Sequence, residues 1–96
     1  MFDSKIILIN PEDNCLVSLQ NIKLGDKLVI DGEIIQFQVK NGITNISMGH
    51  KIARRNIQCG EKIIRYGAVI GSATSDIDKG EYIHSHNLKS DYLVNK

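Results

Sequence analysis

The sequence predicts a small, all-β domain, mainly β with one short helix. Eight glycines divide most of the 96 residues into short segments that are rich in Ile and Val. Turn residues at such close spacing are typical of all-β domains, whose short strands are joined by tight reversals. The length and a hydrophobic content of 42% suit a single domain. We expect one domain over residues 1–96, with an ordered core at about 5–88 and a tail at 89–96.

The first two elements are predicted to be a strand and a helix. Residues 5–9 (KIILI) form the expected strand. The following NPED, residues 10–13, is typical of a helix start, because it places an N-cap residue first, proline second and two acids near the positive end of the helix dipole. Apolar residues then recur at near-helical spacing from Leu16 to Ile22, so we expect the helix to end near Asn21.

A hairpin is predicted after this helix. Residues 27–30 and 33–39 read as two strands, and the intervening Asp31-Gly32 favours the positive φ angles of a tight turn. Polar Gln38 separates apolar Phe37 from Val39, as expected for a half-buried strand.

Three segments resemble one another, at residues 21–29, 56–64 and 76–84. Each has Asn or Asp, then Ile, two variable residues, Gly, an acid, one further residue and an aliphatic residue. We interpret each as a turn that an Asx side chain opens and a left-handed glycine closes, leading into a strand. The unequal intervals exclude a solenoid, which needs a fixed period.

The third segment departs from this pattern by ending in histidines. His84 takes the position of Val29 and Ile64, and His86 follows two residues later. In an extended strand, side chains at i and i+2 leave the same face, so the two imidazoles would lie side by side. They could be two metal ligands, a proton donor and acceptor, or half-exposed residues without a chemical role.

Two other stretches carry polar groups suited to a ligand. His50 and Lys51 follow a glycine turn, and Arg65 and Tyr66 end the strand of the second segment. Imidazoles, two cations and a phenol suit an anionic, hydroxyl-rich ligand such as a sugar acid. Judged singly, Lys51 and Arg65 also fit ordinary solvated charges.

Composition and motifs exclude several other classes. A net charge of +1 with few aromatic residues is a poor profile for a nucleic-acid binder. The apolar run near the N-terminus is too short for a membrane span or a signal peptide, so we expect a cytoplasmic protein. The sequence has no P-loop, GxSxG or HExxH motif. Cys15 and Cys59 fit neither a disulfide framework nor a CxxC site, and we expect two buried thiols.

The string GHKIARRNIQCGEKIIRYGAVIGSATSDIDKGEYIHSHNL, residues 49–88, closely resembles a known family. It is similar to the SAF-type domain at the start of altronate and galactarate dehydratases, which also occurs as a separate small subunit of altronate dehydratase and of sulfolactate sulfo-lyase. The resemblance extends over about residues 6–88, and its motifs are specific when taken together.

This resemblance implies a β-clip fold and a function. The chain would be the small subunit of a lyase that dehydrates a sugar acid, and a larger catalytic subunit would complete the active site. Such enzymes need a divalent metal, usually Fe²⁺, with Mn²⁺ and Zn²⁺ as alternatives. By position, the resemblance implies that His50, Lys51 and Tyr66 are catalytic. It implies that His84 and His86 bind the metal. It also implies that Arg65 and Asn87 bind the substrate. Where the family pattern has Lys before the YG element, this chain has Arg65, which keeps the charge but could not act as a lysine base.

Two other functions remain open at this stage. The chain could be a stand-alone module that binds a sugar acid without chemistry, or the small subunit of a sulfolactate sulfo-lyase. We also consider a homo-oligomer possible, and we expect neither a nucleic-acid nor a membrane partner.

Overall fold

A computed structural model describes residues 5–23, 25–30, 32–38, 40 and 42–90 of the chain. Over this part the chain forms eleven short strands and no helix, which confirms the all-β prediction. The strands are β1 (Ile6–Ile7), β2 (Cys15–Ser18), β3 (Ile22–Lys23), β4 (Lys27–Ile30), β5 (Glu33–Gln36), β6 (Asn45–Ile46), β7 (Lys51–Ala53), β8 (Lys62–Arg65), β9 (Ala68–Ala73), β10 (Tyr82–Ile83) and β11 (Leu88–Lys89). No helix in these ranges is long and apolar enough to cross a membrane.

A four-stranded antiparallel sheet in the order β1-β2-β7-β10 lies at the centre of the fold. Its middle strands are buried on both faces. Since successive side chains point to opposite sides, each of these strands contributes to two cores. Leu16 and Ile52 pair across β2 and β7 and enter one core, whereas Cys15 and Ala53 pair one residue along and enter the other.

Smaller sheets cover each face. The β3–β6 pair and the β4–β5 hairpin complete the first core, which consists of buried aliphatic and aromatic side chains: Ile6, Leu16, Ile22, Leu28, Ile35, Phe37, Ile46 and Ile52. A three-stranded sheet in the order β11-β9-β8 closes the second core, which contains Cys15, Ala53, Ile57, Ile63, Ala73, Ile77 and Ile83.

The prediction of a helix over about residues 10–21 is wrong. NPED forms a turn, in which the Asp13 amide donates to the Asn10 carbonyl, and the chain then enters β2. The buried Asp13 carboxylate accepts the backbone N–H groups of Asn10, Tyr66 and Gly67. The Asn14 amide also bonds to backbone groups of β8. These long-range bonds hold the segment extended, so local capping signals do not decide its structure.

The three similar segments form three similar turns, as predicted. Gly25, Gly60 and Gly80 have φ angles of +90°, +88° and +88°. In each turn the acid after the glycine accepts the backbone N–H of the residue three positions before it, and its own N–H donates to that residue's carbonyl. The Asx side chains act differently from the prediction. In the second and third turns Asn56 and Asp76 each accept a backbone N–H from the other turn, which ties the two together.

Other local predictions have mixed outcomes. The predicted strand over residues 27–30 is confirmed as β4, and its partner β5 ends at Gln36. The predicted strand over residues 5–9 is shorter, with pairing at Ile6–Ile7. Residues 31 and 39 and the end of the predicted tail, 91–96, lie outside the described residues.

The prediction of two buried thiols is right for Cys15 and wrong for Cys59. Cys59 is exposed because it precedes the glycine of the second turn. Cys15 lies in the second core and its Sγ lies 3.3 Å from the Ile64 carbonyl oxygen.

The buried thiol makes stability depend on pH. Burial raises the pKa of Cys15 from 9.0 to about 11, and the Asp13 carboxylate acts in the same direction. The unfolded chain therefore releases this proton first, so the thiol's contribution to stability is full below pH 9 and is lost as the pH rises to about 11. At about 1.4 kcal/mol per pKa unit, we expect the free energy of unfolding to fall by up to about 3 kcal/mol over this window.

Urea denaturation at pH 8 and pH 11 measures this fall. In Cys15→Ala the free energy of unfolding should fall clearly less between pH 8 and pH 11 than in the parent chain. In Cys59→Ala it should fall by the same amount as in the parent chain. An equally steep fall in the Cys15→Ala chain would contradict the assignment.

Candidate functional site

The GHK loop, residues 49–51, is fixed against the end of β2. Gly49 has a φ of +91°, which lets the chain reverse before β7. Ser18 holds the loop through backbone bonds with Gly49 and His50, and its Oγ lies 3.1 Å from both the His50 N–H nitrogen and the His50 carbonyl oxygen. The half-buried His50 side chain is therefore carried by a well-anchored backbone.

The two C-terminal histidines lie in a turn, so the predicted extended strand through His84 and His86 is wrong. Strand β10 ends at Ile83, and the His84 carbonyl accepts the N–H groups of Asn87 and Leu88. The buried Asn87 side chain closes the turn: its Oδ1 accepts the His84 N–H at 2.9 Å and its Nδ2 donates to the Tyr82 carbonyl at 2.8 Å.

The GHK loop and the C-terminal turn nevertheless come together, because β7 and β10 pair directly. Four rings then form one group, which we call the ring cluster: His50, Tyr82, His84 and His86. The His50 and His84 centroids are 5.3 Å apart, and the Tyr82 ring stacks on His84 at 5.4 Å. The Tyr82 centroid lies 5.6 Å from each of the other two rings. A hydrogen bond of 2.8 Å joins the Tyr82 hydroxyl to His50 Nδ1.

One cation, Lys51, adjoins the ring cluster, and a second, Arg65, acts electrostatically on Lys51. The half-buried Lys51 follows His50 directly, and burial lowers its pKa, with the positive charge of Arg65 adding to the effect. The Arg65 Nε is buried and makes no hydrogen bond with any described residue. Its guanidinium lies 5.0 Å from the centre of the Tyr66 ring. Two like charges near each other, one with an unpaired buried donor, would be stabilised by an anion.

The electrostatic environment also acts on the rings. Partial desolvation lowers the pKa of His84, and the charges of His50, Lys51 and His86 add to this effect. Burial raises the pKa of the Tyr82 phenol. The cluster therefore favours a neutral imidazole at His84 and an intact hydroxyl at Tyr82 at neutral pH.

The structure separates the residues singled out from the sequence into two groups. His50, Lys51, His84 and His86 lie at or beside the ring cluster, and Arg65 interacts electrostatically with Lys51. Tyr66 is exposed, has a φ of +57° and packs its ring against Arg65 rather than among the imidazoles. Asn87 is buried and uses its amide within the turn.

Sequence reasoning missed Tyr82, which takes part in three of the four ring contacts. Its position two residues before His84 was the available signal, because the i, i+2 argument that linked His84 to His86 applies equally to Tyr82 and His84.

The donor set partly fits a divalent metal. The imidazole nitrogens of His84 and His86 suit Fe²⁺, Mn²⁺ or Zn²⁺. Across the described residues, however, no three His, Cys, Asp or Glu side chains are placed to hold a metal ion. Two ligands are thus the most that the C-terminal turn offers.

Comparison with known proteins places these features in a family. Residues 4–91 match the SAF domain of altronate/galactarate dehydratase. The chain is 40% identical over 84 residues to an altronate dehydratase of Bacillus subtilis (strain 168) and 31% identical over 84 residues to one of Escherichia coli (strain K12). Each alignment covers 88% of this chain and 16% of the relative.

A second kind of relative is much closer to this chain in length. Subunit alpha of (2R)-sulfolactate sulfo-lyase from Chromohalobacter salexigens is 34% identical over 79 residues, which cover 78% of this chain and 81% of that subunit. The chain therefore spans a small part of the altronate dehydratases and most of the sulfo-lyase subunit.

Proposed function

The chain belongs to the SAF-domain family of altronate and galactarate dehydratases, a β-clip fold, and from this premise we propose that it supplies part of the active site of a sugar-acid hydro-lyase. A larger catalytic polypeptide would supply the rest. The observation that carries the proposal is the meeting of the GHK loop with the C-terminal histidines, at 5.3 Å between the His50 and His84 rings.

The charges of this site suit the elimination of water from a sugar acid. That reaction transfers a proton from the carbon next to the carboxylate to a base, which the larger polypeptide would supply, so negative charge builds up on the carboxylate in the transition state. The Lys51 ammonium and the Arg65 guanidinium have no described carboxylate partner, and an anion beside them would relieve their mutual repulsion. They would stabilise the developing charge more than the ground state, which lowers the barrier.

The remaining groups have distinct roles in this proposal. His50 reaches the substrate and donates to, or moves a proton towards, the departing hydroxyl. Tyr66 holds the Arg65 guanidinium through its ring, and Asn87 holds the turn that carries the histidines rather than touching the substrate.

His84 and His86 would contribute two ligands to a divalent metal, with Fe²⁺ as the first candidate. When bound, such a metal would act as a Lewis acid on the oxygens of the substrate. Its other ligands would come from the larger polypeptide or the substrate, because the described residues provide no third ligand placed to complete the set.

Reconstitution tests the proposal. The purified chain is mixed with a polypeptide that resembles the remaining part of the altronate dehydratases, Fe²⁺ is added, and release of the 2-keto-3-deoxy acid from altronate or galactarate is followed. We expect no turnover by either protein alone and metal-dependent turnover by the mixture. Failure of the two proteins to associate, or a complex inactive on every hydroxy acid tried, would contradict it. Saturable binding of a sugar acid by the chain alone, without turnover in the mixture, would instead identify a binding module.

A second candidate is the sulfo-lyase reaction, favoured by the match in length to a separate alpha subunit. The same charged site would then serve a substrate that loses sulfite instead of water. Supplying (2R)-sulfolactate to the reconstituted mixture and measuring sulfite distinguishes the two leaving groups.

A further inference from the structure

Tyr82 lies at the centre of the ring cluster and contacts each of the other three rings. It is the residue of β10 that pairs with Ile52, and its ring packs partly against the first core. The backbone at both ends of the ring cluster is fixed, because Ser18 anchors the GHK loop and Asn87 closes the turn. Because the first core fixes the Tyr82 side chain, this side chain can set the orientation of the rings around it.

The hydroxyl of Tyr82 bonds to one defined nitrogen of His50. The bond is 2.8 Å long and engages Nδ1, whereas Nε2 makes no hydrogen bond with any described residue. A neutral imidazole carries one proton, and the hydrogen bond at one nitrogen decides which nitrogen holds it. If the phenol donates to Nδ1, the proton of neutral His50 must be on Nε2, the nitrogen left for a ligand.

The ring of Tyr82 acts on the two C-terminal histidines. It stacks on His84 with an interplanar angle of 10° and meets His86 at 37°. Both histidines belong to an exposed turn, where an imidazole would otherwise sample several rotamers. A stacked aromatic contact adds attraction beyond the area that it buries, and this attraction favours one rotamer.

We propose that Tyr82 is the positioning residue of this site: its hydroxyl donates to His50 Nδ1, so that neutral His50 presents Nε2–H to an anionic ligand, and its ring orients His84 and His86. The kinetic consequence of this proposal rests on the proposed function, whereas its structural consequence does not. Tyr82 itself does not contact the reacting atoms.

The structural test uses two variants of the complete 96-residue chain. Tyr82→Phe removes the hydroxyl and keeps the ring, and Tyr82→Leu removes both. Nitrogen-15 NMR of the histidine side chains at pH 8.5, where an unperturbed imidazole is neutral, distinguishes protonated from unprotonated ring nitrogens. In the parent chain we expect His50 to carry its proton on Nε2 and to accept at Nδ1.

The two variants should separate the two actions of Tyr82. In Tyr82→Phe the His50 Nδ1 signal should move towards that of an unbonded nitrogen, while the ring-current shifts of His84 and His86 protons stay close to those of the parent. In Tyr82→Leu both sets of signals should change. A parent His50 protonated on Nδ1, or His50 nitrogen shifts that are the same in the parent and Tyr82→Phe, would overturn the proposal. The backbone spectrum of each variant shows whether it is folded.

The kinetic test uses the reconstituted complex. Tyr82→Phe should lower kcat about 10- to 100-fold, the usual range for groups that orient a catalytic residue or a ligand, and should change KM less than twofold. An unchanged kcat together with the expected NMR shifts would overturn the catalytic importance of the orientation. A complex whose parent form is inactive would count against the proposed function, and the NMR result would stand independently.

Discussion

Gly80→Ala should destabilise the domain by about 2–5 kcal/mol. Gly80 has a φ of +88°, a conformation that costs an L-residue about 1–2 kcal/mol. A Cβ on Gly80 would also lie 2.1 Å from the Gln36 carbonyl oxygen, so the backbone of the neighbouring segment would have to move. Overpacking of this kind typically costs a further 1–3 kcal/mol. Thermal or urea denaturation of the purified variant measures the loss.

Gly60→Ala is the matched control, because Gly60 occupies the same position in the second turn. Its φ is also +88°, but a Cβ there would meet no atom within 4 Å. We therefore expect a loss of only about 1–2 kcal/mol, from the backbone conformation alone. Equal losses of stability in the two variants would contradict the close approach of the Gln36 carbonyl to the third turn.

Lys51→Met should lower kcat of the reconstituted lyase by about 100- to 1000-fold. Lys51 is half-buried beside His50, and methionine keeps most of the side chain's apolar length while it removes the charge. Losing one preorganised group that faces developing negative charge typically has an effect of this size. Steady-state release of the keto-deoxy acid measures it.

Lys27→Met is the control for loss of a positive charge. Lys27 is an exposed cation on β4, in a two-stranded sheet separate from the sheet that contains β7 and β10, so this variant should keep kcat within about twofold. Lys51→Arg should recover only part of the lost rate, because the planar guanidinium does not replace a compact ammonium group. A Lys51→Met enzyme as active as the Lys27→Met enzyme would remove Lys51 from the mechanism.

The predictable part of the fold was the part set by local backbone chemistry. The three turns could be recognised because each depends on neighbouring residues alone, a glycine in the left-handed conformation followed by an acid. Residues 10–21 could not, because NPED satisfies helix-capping rules while two of the three partners of the Asp13 carboxylate, Tyr66 and Gly67, are more than 50 residues away. Long-range hydrogen bonds of this kind leave no trace in a local pattern.

The candidate site was predictable to a similar extent. The imidazole-rich ending of the third segment identified His84 and His86 as exceptions, and the family resemblance linked them to His50. Tyr82 was overlooked because an aromatic residue at the start of a strand is ordinarily a packing residue. Its hydrogen bond to His50 depends on the pairing of β7 with β10, which no spacing rule reveals.

The central claim is that the GHK loop and the C-terminal turn act as one site, and a double-mutant cycle tests it most directly. The kcat/KM of the reconstituted lyase is measured for the parent, His50→Ala, His84→Ala and the double variant. Because the two rings are 5.3 Å apart, the double variant should lose clearly less than the two single losses combined, with a coupling of about 1 kcal/mol or more. Single losses that combine without coupling would mean that the two histidines act independently, and the one-site account would be wrong.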